Sequence, residues 1–461
     1  MIGFDEAVAL IAANSGPLRR ERVSLEQAHG RTLAEAVRAQ VRSPPFDASA
    51  MDGYAARDAD LAALPAGLNV VGESFAGSPW EGPLKPGECA RIFTGAAVPQ
   101  GADRVIMQEM VDRRGSEARF SEALGAARHI RSAGSDFEAG DLLLEAGTHL
   151  HARALVAAAA ADVKELRVWK RPGVMVLCTG DELAQPGTAR DIPGAVPESV
   201  SFGAAGIAAE WSADFLGSVR LADDLGEMET AAALAVRDSE LVVVTGGASV
   251  GEKDFAKAMF EPLGLELIFS KVAIKPGKPV WFGRAGSALI MGLPGNPTSA
   301  LVTARLFLAP LLARLSGREA GAALHWRSAT LATPIGECGA RETFHRARWL
   351  GDSVEILSNQ DSSAQKALAD ADLLVRQRAN APPVDAGEPV EVLDFELLIR
   401  RLASVSSCAV LILKNGSNGS AAQSTGTQPT SSAKPRNERR PLARYSSERS
   451  RADTRHRPQT G

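Results

Sequence analysis

The stretch Leu241 to Asp254, LVVVTGGASVGEKD, runs an unbroken apolar segment into a glycine-rich loop that ends on a carboxylate. Leu241 to Val244 offers no polar face, so it reads as a strand covered on both sides, as in the middle of a parallel sheet. Gly246, Gly247 and Gly251 permit backbone conformations closed to other residues and let main-chain N–H groups approach an anion, with Ser249 adding a hydroxyl donor. The spacing of Gly246 and Gly251 imitates a Walker loop, but Glu252 and Lys253 stand where Lys and Ser/Thr are required, which excludes an ATPase P-loop.

Outward from this loop, strand and helix signals alternate between Gly173 and Gly317. Strands are expected at Val174 to Cys178, Phe215 to Leu221 and Leu241 to Thr245, and helices at Phe202 to Trp211, Met228 to Arg237 and Asp254 to Glu261. Repeated βα units predict an α/β domain, a doubly wound parallel sheet whose ligands lie beyond the carboxyl ends of its strands. Upstream, helix-like spacing over Asp5 to Asn14 and Ser24 to Ala39, and again over Ala152 to Ala161, predicts a helical domain assembled from two separate segments. The Pro44–Pro45 pair breaks helix, and short β-like runs dense in Gly and Pro then predict a β-rich insertion. Short strands return after Gly317 and predict a β-barrel-like C-terminal domain. The expected boundaries are 1–43 with 137–171, 44–136, 172–318, 319–402, and a basic tail over 403–461.

The chain has 461 residues and a net charge of −4. From Ser404 onward ten Lys/Arg oppose three acids, so the preceding body is strongly acidic and lacks a nucleic-acid footprint. The tail's Ser, Gly, Thr, Asn and Gln content predicts disorder. The N-terminus has two early acids and no long apolar run, so secretion and membrane insertion are not expected. Four cysteines without a C-x-x-C pair argue for reduced thiols and a cytoplasmic protein.

Three strand ends deliver acids or glycines to one rim of the sheet: Thr179, Gly180, Asp181 and Glu182; Asp223 and Asp224; and the Gly246 loop with Asp254. Such acids suit Mg²⁺: each alone is more often a helix cap or a solvated side chain, but their shared location at one rim favours a ligand site. In AIKPGKP, Ala273 to Pro279, two ammoniums on a stiffened turn disfavour one another unless an anion neutralises them. In LPGNP, Leu293 to Pro297, Asn296 and Pro297 can open a helix whose N-terminus would attract an anion. Asp52 in SAMDGYA and Thr94 in RIFTG are good turn residues in their own right. No Ser/His/Asp or Cys/His grouping points to covalent catalysis.

Taken together and in this order, SAMDGYA, RIFTGAAVP, TGDEL, VTGGASVGEKD, AIKPGKP and LPGNP resemble the molybdenum insertases, the molybdopterin molybdenumtransferases related to the gephyrin E domain, over roughly residues 1 to 400. The resemblance implies a homodimer of four-domain subunits, with a helical dimerisation domain and a molybdopterin-binding α/β domain. It implies that molybdate is inserted into adenylylated molybdopterin with Mg²⁺-dependent release of AMP. Asp52, Thr94 and Glu182 then correspond to catalytic positions, and Asp223 and Asp254 to metal ligands. Asp136, Gly246, Gly247, Ser249, Gly251, Lys275, Lys278, Pro294, Pro297, Arg341, Arg346 and Ser362 correspond to substrate-binding positions. A molybdopterin adenylyltransferase or molybdoenzyme maturation factors are the partners it suggests. Val200 departs from the family pattern, which has Asn there. The alternatives are a molybdopterin adenylyltransferase and a non-catalytic gephyrin-like scaffold. The first leaves the insertion and the C-terminal domain without a task, and the second does not explain the retained acids and lysines.

Overall fold

A computed structural model of the protein describes residues 1–246 and 255–396. The expected strand over Leu241–Thr245 lies in the centre of a six-stranded sheet. Four parallel strands come in the order Asp214–Leu221, Gly173–Thr179, Leu241–Thr245 and Ala288–Leu293. Trp281–Ala285 and Glu266–Phe269 extend the sheet antiparallel, a departure from the purely parallel expectation. The cause is local: Gly286, at φ 54°, and Ser287 close a two-residue turn that folds Trp281–Ala285 directly back onto Ala288–Leu293.

Strand alternation divides the apolar residues between two cores. Val174, Val176, Cys178, Leu241, Val243 and Met291 face one layer, made by the helices Phe4–Asn14, Val200–Glu210 and Pro297–Leu315. Leu177, Val242, Val244 and Ile290 face the other, under the helix Leu225–Asp238 and the short helix Phe255–Ala258. Every apolar residue of Leu241 to Val244 is thereby buried, as its composition required. Among the described residues, Pro297–Leu315 is the one helix long and apolar enough to cross a membrane, and 89% of it is buried inside this core.

The opening helix belongs to the α/β core, because Phe4 packs against Phe344 and Phe307 at ring-centroid distances of 5.0 and 5.6 Å. The second expected helix, Ser24 to Ala39, is absent. Arg20–Ser24 is instead a strand paired antiparallel with Glu165–Trp169, followed by one 3₁₀ turn at Leu25–Gln27. Gly30, at φ 74°, turns the chain, and Ala28, five residues before Leu33, falls off the helical face that Leu33 and Val37 would share. They pack on Ala154 and Ala158 of the helix Ala152–Ala160, so the segments before and after the insertion share a core of mixed rather than helical character.

The insertion holds a six-stranded sheet ordered Arg104–Met107, Gly53–Ala56, Glu88–Ile92, Ala66–Ser74, Glu117–Phe120 and Val111–Arg114. The C-terminal strands Glu342–Leu350, Ser353–Ile356, Arg327–Leu331, Pro389–Asp394 and Leu373–Gln377 close on themselves as a barrel, the last pairing back with the first. Arg376 and Arg378 fix the barrel to the opening helix through Asp5, at 2.7 and 2.9 Å. Cys89, Cys178 and Cys338 are buried free thiols, and burial pushes those of Cys89 and Cys178 up to about 12. Cys408 and the basic tail lie outside the described residues.

Candidate active site

Three neighbouring strand ends are drawn together by glycines. Gly246, at φ 95°, passes so close to the first strand that a Cβ there would lie 2.3 Å from the Thr179 carbonyl oxygen. On its other side a Cβ on Gly295, in the LPGNP loop, would sit 3.3 Å from the Gly246 Cα. The Thr179 hydroxyl donates to the Thr245 carbonyl at 3.2 Å, which ties the same two strands at their ends. TGDEL, the strand end Val244 to Gly246 and LPGNP therefore meet as one main-chain surface, shaped for a ligand that approaches backbone closely.

Acids rim this surface. The Asp223 N–H donates to the Asp181 carboxylate at 2.9 Å, bringing the first and second strand ends together, while Asp224 caps the helix Leu225–Asp238 through the Glu227 N–H. Glu182 is exposed, and Asp223 is half-buried. Among the described residues no group of three or more His, Cys, Asp or Glu surrounds a common point. Carboxylate oxygens from two adjacent strand ends nevertheless suit Mg²⁺, which needs few protein ligands and keeps several waters. Gly247, Ser249, Gly251 and Asp254 lie outside the described residues.

The lysine turn joins the α/β domain to the barrel. Ile274–Lys275 pairs parallel with Glu342 and Thr343, and Gly277, at φ 102°, fits against Thr303 where a Cβ would be 2.1 Å from its methyl group. Lys275 and Arg341 thereby line one cavity of about 330 Å³, together with Cys338, Thr343, His345 and Gln377. Arg341 donates to the Ile274 carbonyl at 3.4 Å. Burial, opposed by the hydrogen bond between the ring Nε2 and the Gln377 amide oxygen and reinforced by Lys275 and Arg346, holds the His345 pKa below its ordinary value. Lys275 and Arg341 supply the basic side chains of this cavity, and Glu337 places one carboxylate in its wall. Lys278 is exposed on the same turn.

Arg346 corrects an expectation. Its side chain is fully buried and donates to the Asp361 and Asn359 carbonyls at 3.0 and 3.2 Å, so its guanidinium is committed to protein rather than to substrate. It shapes the loop carrying Ser362, whose hydroxyl accepts from the Asn296 amide at 2.9 Å and so links the barrel to LPGNP. Pro294 is buried, and Pro297 occupies the first helical position. Thr343, His345 and Gln377 were not singled out by sequence. The alternation of RETFHR was the available signal, since Glu342, Phe344 and Arg346 point inward and Thr343 and His345 do not.

In the insertion, both the main-chain N–H and the hydroxyl of Thr94 donate to Asp52 Oδ1, at 2.7 and 2.8 Å. Those bonds, with a smaller contribution from Arg91, hold the Asp52 carboxyl below its ordinary pKa. Asp136 is exposed, its N–H donating to the Ser43 carbonyl at 3.0 Å. At the departure from the family pattern, buried Glu198 accepts from the Ser201 N–H and hydroxyl, at 2.8 and 2.5 Å, and Val200 enters the core. The helix opening that asparagine would cap is thus capped by glutamate, while a polar contact to substrate is not available from Val200.

The chain is similar to known proteins over most of its length. Family profiles described as the MoeA N-terminal region (domain I and II), a probable molybdopterin binding domain and the MoeA C-terminal region (domain IV) match residues 2–161, 175–314 and 328–395. It is 34% identical to a molybdopterin molybdenumtransferase of Haemophilus influenzae, covering 83% of this chain and 96% of that protein. A molybdopterin molybdenumtransferase 2 of Mycobacterium tuberculosis is 32% identical, over 86% of this chain and all of its own length. The solved structure of a molybdopterin biosynthesis MoeA protein from Pyrococcus horikosii matches with a TM-score of 0.73 and 29% identity, covering 86% of this chain and 100% of that one.

Proposed function

The chain belongs to the molybdopterin molybdenumtransferase family, transferases of molybdenum cofactor biosynthesis, and we propose that it inserts molybdate into adenylylated molybdopterin with Mg²⁺-dependent release of AMP. The observation that carries this reading is the junction of two unlike surfaces. A glycine-walled, acid-rimmed set of strand ends is joined through LPGNP and the lysine turn to a cavity in which Lys275 and Arg341 outnumber the single acid Glu337. The first suits a phosphoryl group with its metal, and the second a small dianion.

In this reading Lys275 and Arg341 hold molybdate by charge-assisted hydrogen bonds, and Thr343 supplies a neutral hydroxyl. Main-chain N–H groups around Gly246 and Gly295 receive the phosphates. Glu182 and Asp52 orient the substrate, with the Thr94 hydroxyl keeping Asp52 ionised and fixed. Asp223 and Asp254 are the residues that would hold Mg²⁺, which when bound would neutralise charge on the phosphoryl oxygens. The active form is proposed to be a cytoplasmic homodimer, with a molybdopterin adenylyltransferase as the source of its substrate. Incubation of the purified protein with adenylylated molybdopterin and Mg²⁺ should release AMP only when molybdate is added. Molybdate-independent release, or none, would refute the assignment.

A further inference from the structure

Beside Asp52 the insertion presents an aromatic step that the reaction outlined above does not use. Gly53 pairs with Ile92 and Tyr54 with Arg91, so continuing the register sets Asp52 across from Phe93 on the face that carries Tyr54 and Arg91. The Arg91 guanidinium lies 5.1 Å from the Tyr54 ring centroid and 4.8 Å from that of Phe93. Phe93 is in turn stacked on Phe75, with centroids 4.5 Å apart and planes inclined by 11°.

Phe75 is held in place by its backbone. Reciprocal 3.0 Å hydrogen bonds between Phe75 and Ser78 close a tight turn, and the buried Ser74 hydroxyl donates to the Ala97 carbonyl at 2.9 Å and accepts from the Trp80 N–H. Phe75 is nevertheless 42% exposed, although an apolar side chain of this size gains by being covered. A flat, partly solvent-facing ring at one end of a Tyr–Arg–Phe–Phe stack, one ring removed from the Asp52 carboxylate, is suited to a planar heterocycle bearing N–H donors on one edge.

Building on the molybdenumtransferase reading, we propose that Phe75 is the stacking platform for the pterin ring of the substrate, with Asp52 accepting hydrogen bonds from the ring's amino and N–H edge. The 2-amino-4-oxopterin edge offers two adjacent donors to a carboxylate. Adenine offers one amino donor beside ring acceptors, and so matches Asp52 less well.

The test uses the full-length protein and its Phe75→Ala and Phe75→Trp variants, titrated separately with 6-methylpterin and AMP. Phe75→Ala is expected to weaken 6-methylpterin about tenfold or more and to leave AMP within about twofold, in line with loss of one stacking contact. Phe75→Trp should retain pterin binding, with quenching of the new indole as the ring stacks. Unchanged pterin binding by Phe75→Ala overturns the platform, and selective weakening of AMP overturns the pterin assignment in favour of adenine. The two readings separate cleanly. A wild-type protein that binds pterin through Phe75 but shows no molybdate-dependent AMP release keeps the platform and loses the insertase assignment.

Discussion

Gly246→Ala probes the meeting of the strand ends most directly. The added methyl carbon would lie 2.3 Å from the Thr179 carbonyl oxygen and 2.7 Å from its hydroxyl, against a strand that is buried on both faces and cannot swing away. The backbone at φ 95° adds a penalty for any L side chain of about 1–2 kcal/mol. Overpacking against fixed main chain contributes a further ~1–3 kcal/mol, so the total is about 2–5 kcal/mol. In a unit of this size each kilocalorie shifts the midpoint by roughly 2 °C, and a fall of about 4–10 °C is expected. Thermal unfolding followed by circular dichroism reads this shift, with Gly125→Ala, where nothing lies within 4 Å of the added carbon, as the matched control. AMP titration at a temperature where both proteins are folded should show weaker binding by Gly246→Ala alone, because relief of the clash must separate Gly246 from Thr179 or Gly295. A midpoint within 1 °C of wild type, on the order of measurement error for a substitution of this size, would refute the close approach.

Lys275→Gln removes one charge-assisted hydrogen bond worth about 2 kcal/mol, so molybdate should bind about 30-fold more weakly while AMP binding is retained; equal loss of both in calorimetric titration counts against the cavity assignment. Arg346→Met should behave differently, costing about 2–4 kcal/mol of stability by stranding the Asn359 and Asp361 carbonyls, whereas Arg341→Met should keep the unfolding midpoint and lose molybdate. Reversed behaviour in paired melting and binding measurements would exchange their roles. His149 supplies a pH test: burial first, then Arg318, His151 and His29, lower its pKa to about 4. The unfolded chain, with a His pKa of about 6.5, takes up a proton that the folded chain refuses, so the stability present above pH 6.5 is lost as pH falls toward 4. Urea midpoints at pH 7.5 and 5 should converge in His149→Gln relative to wild type, and an unchanged difference between the two pH values would exclude this histidine.

The α/β sheet was legible because its defining strand has no polar face: a segment such as Leu241 to Val244 has few places in a protein other than a sheet covered on both sides. The helix expected over Ser24 to Ala39 failed for the opposite reason. Its apolar residues are satisfied by partners from residues 150 to 168, far along the chain, and tertiary pairing of Arg20–Ser24 with Glu165–Trp169 outweighs a weak local helical preference. The same distinction divides the site. Gly246 was readable as a close approach, since only glycine tolerates φ near 100° against a neighbouring residue, whereas the fit of Gly277 against Thr303 depends on a helix distant in sequence. Arg341 and Arg346 looked equivalent as charges, yet Arg341 lies in the bend just before the strand Glu342–Leu350, whereas Arg346 is an inward-facing residue within it. One reaches the cavity beside Lys275 and the other is enclosed against the 359–361 carbonyls. Strand alternation in RETFHR also selects Thr343 and His345 as cavity residues, and the parallel pairing of Lys275 with Thr343 explains why the lysine turn meets this face of the barrel. The cation that binds and the cation that holds the Ser362 loop are thus distinguished by strand geometry rather than by residue type, which is why exchanging Arg341 and Arg346 in the melting and binding measurements is the sharpest check on the assigned cavity.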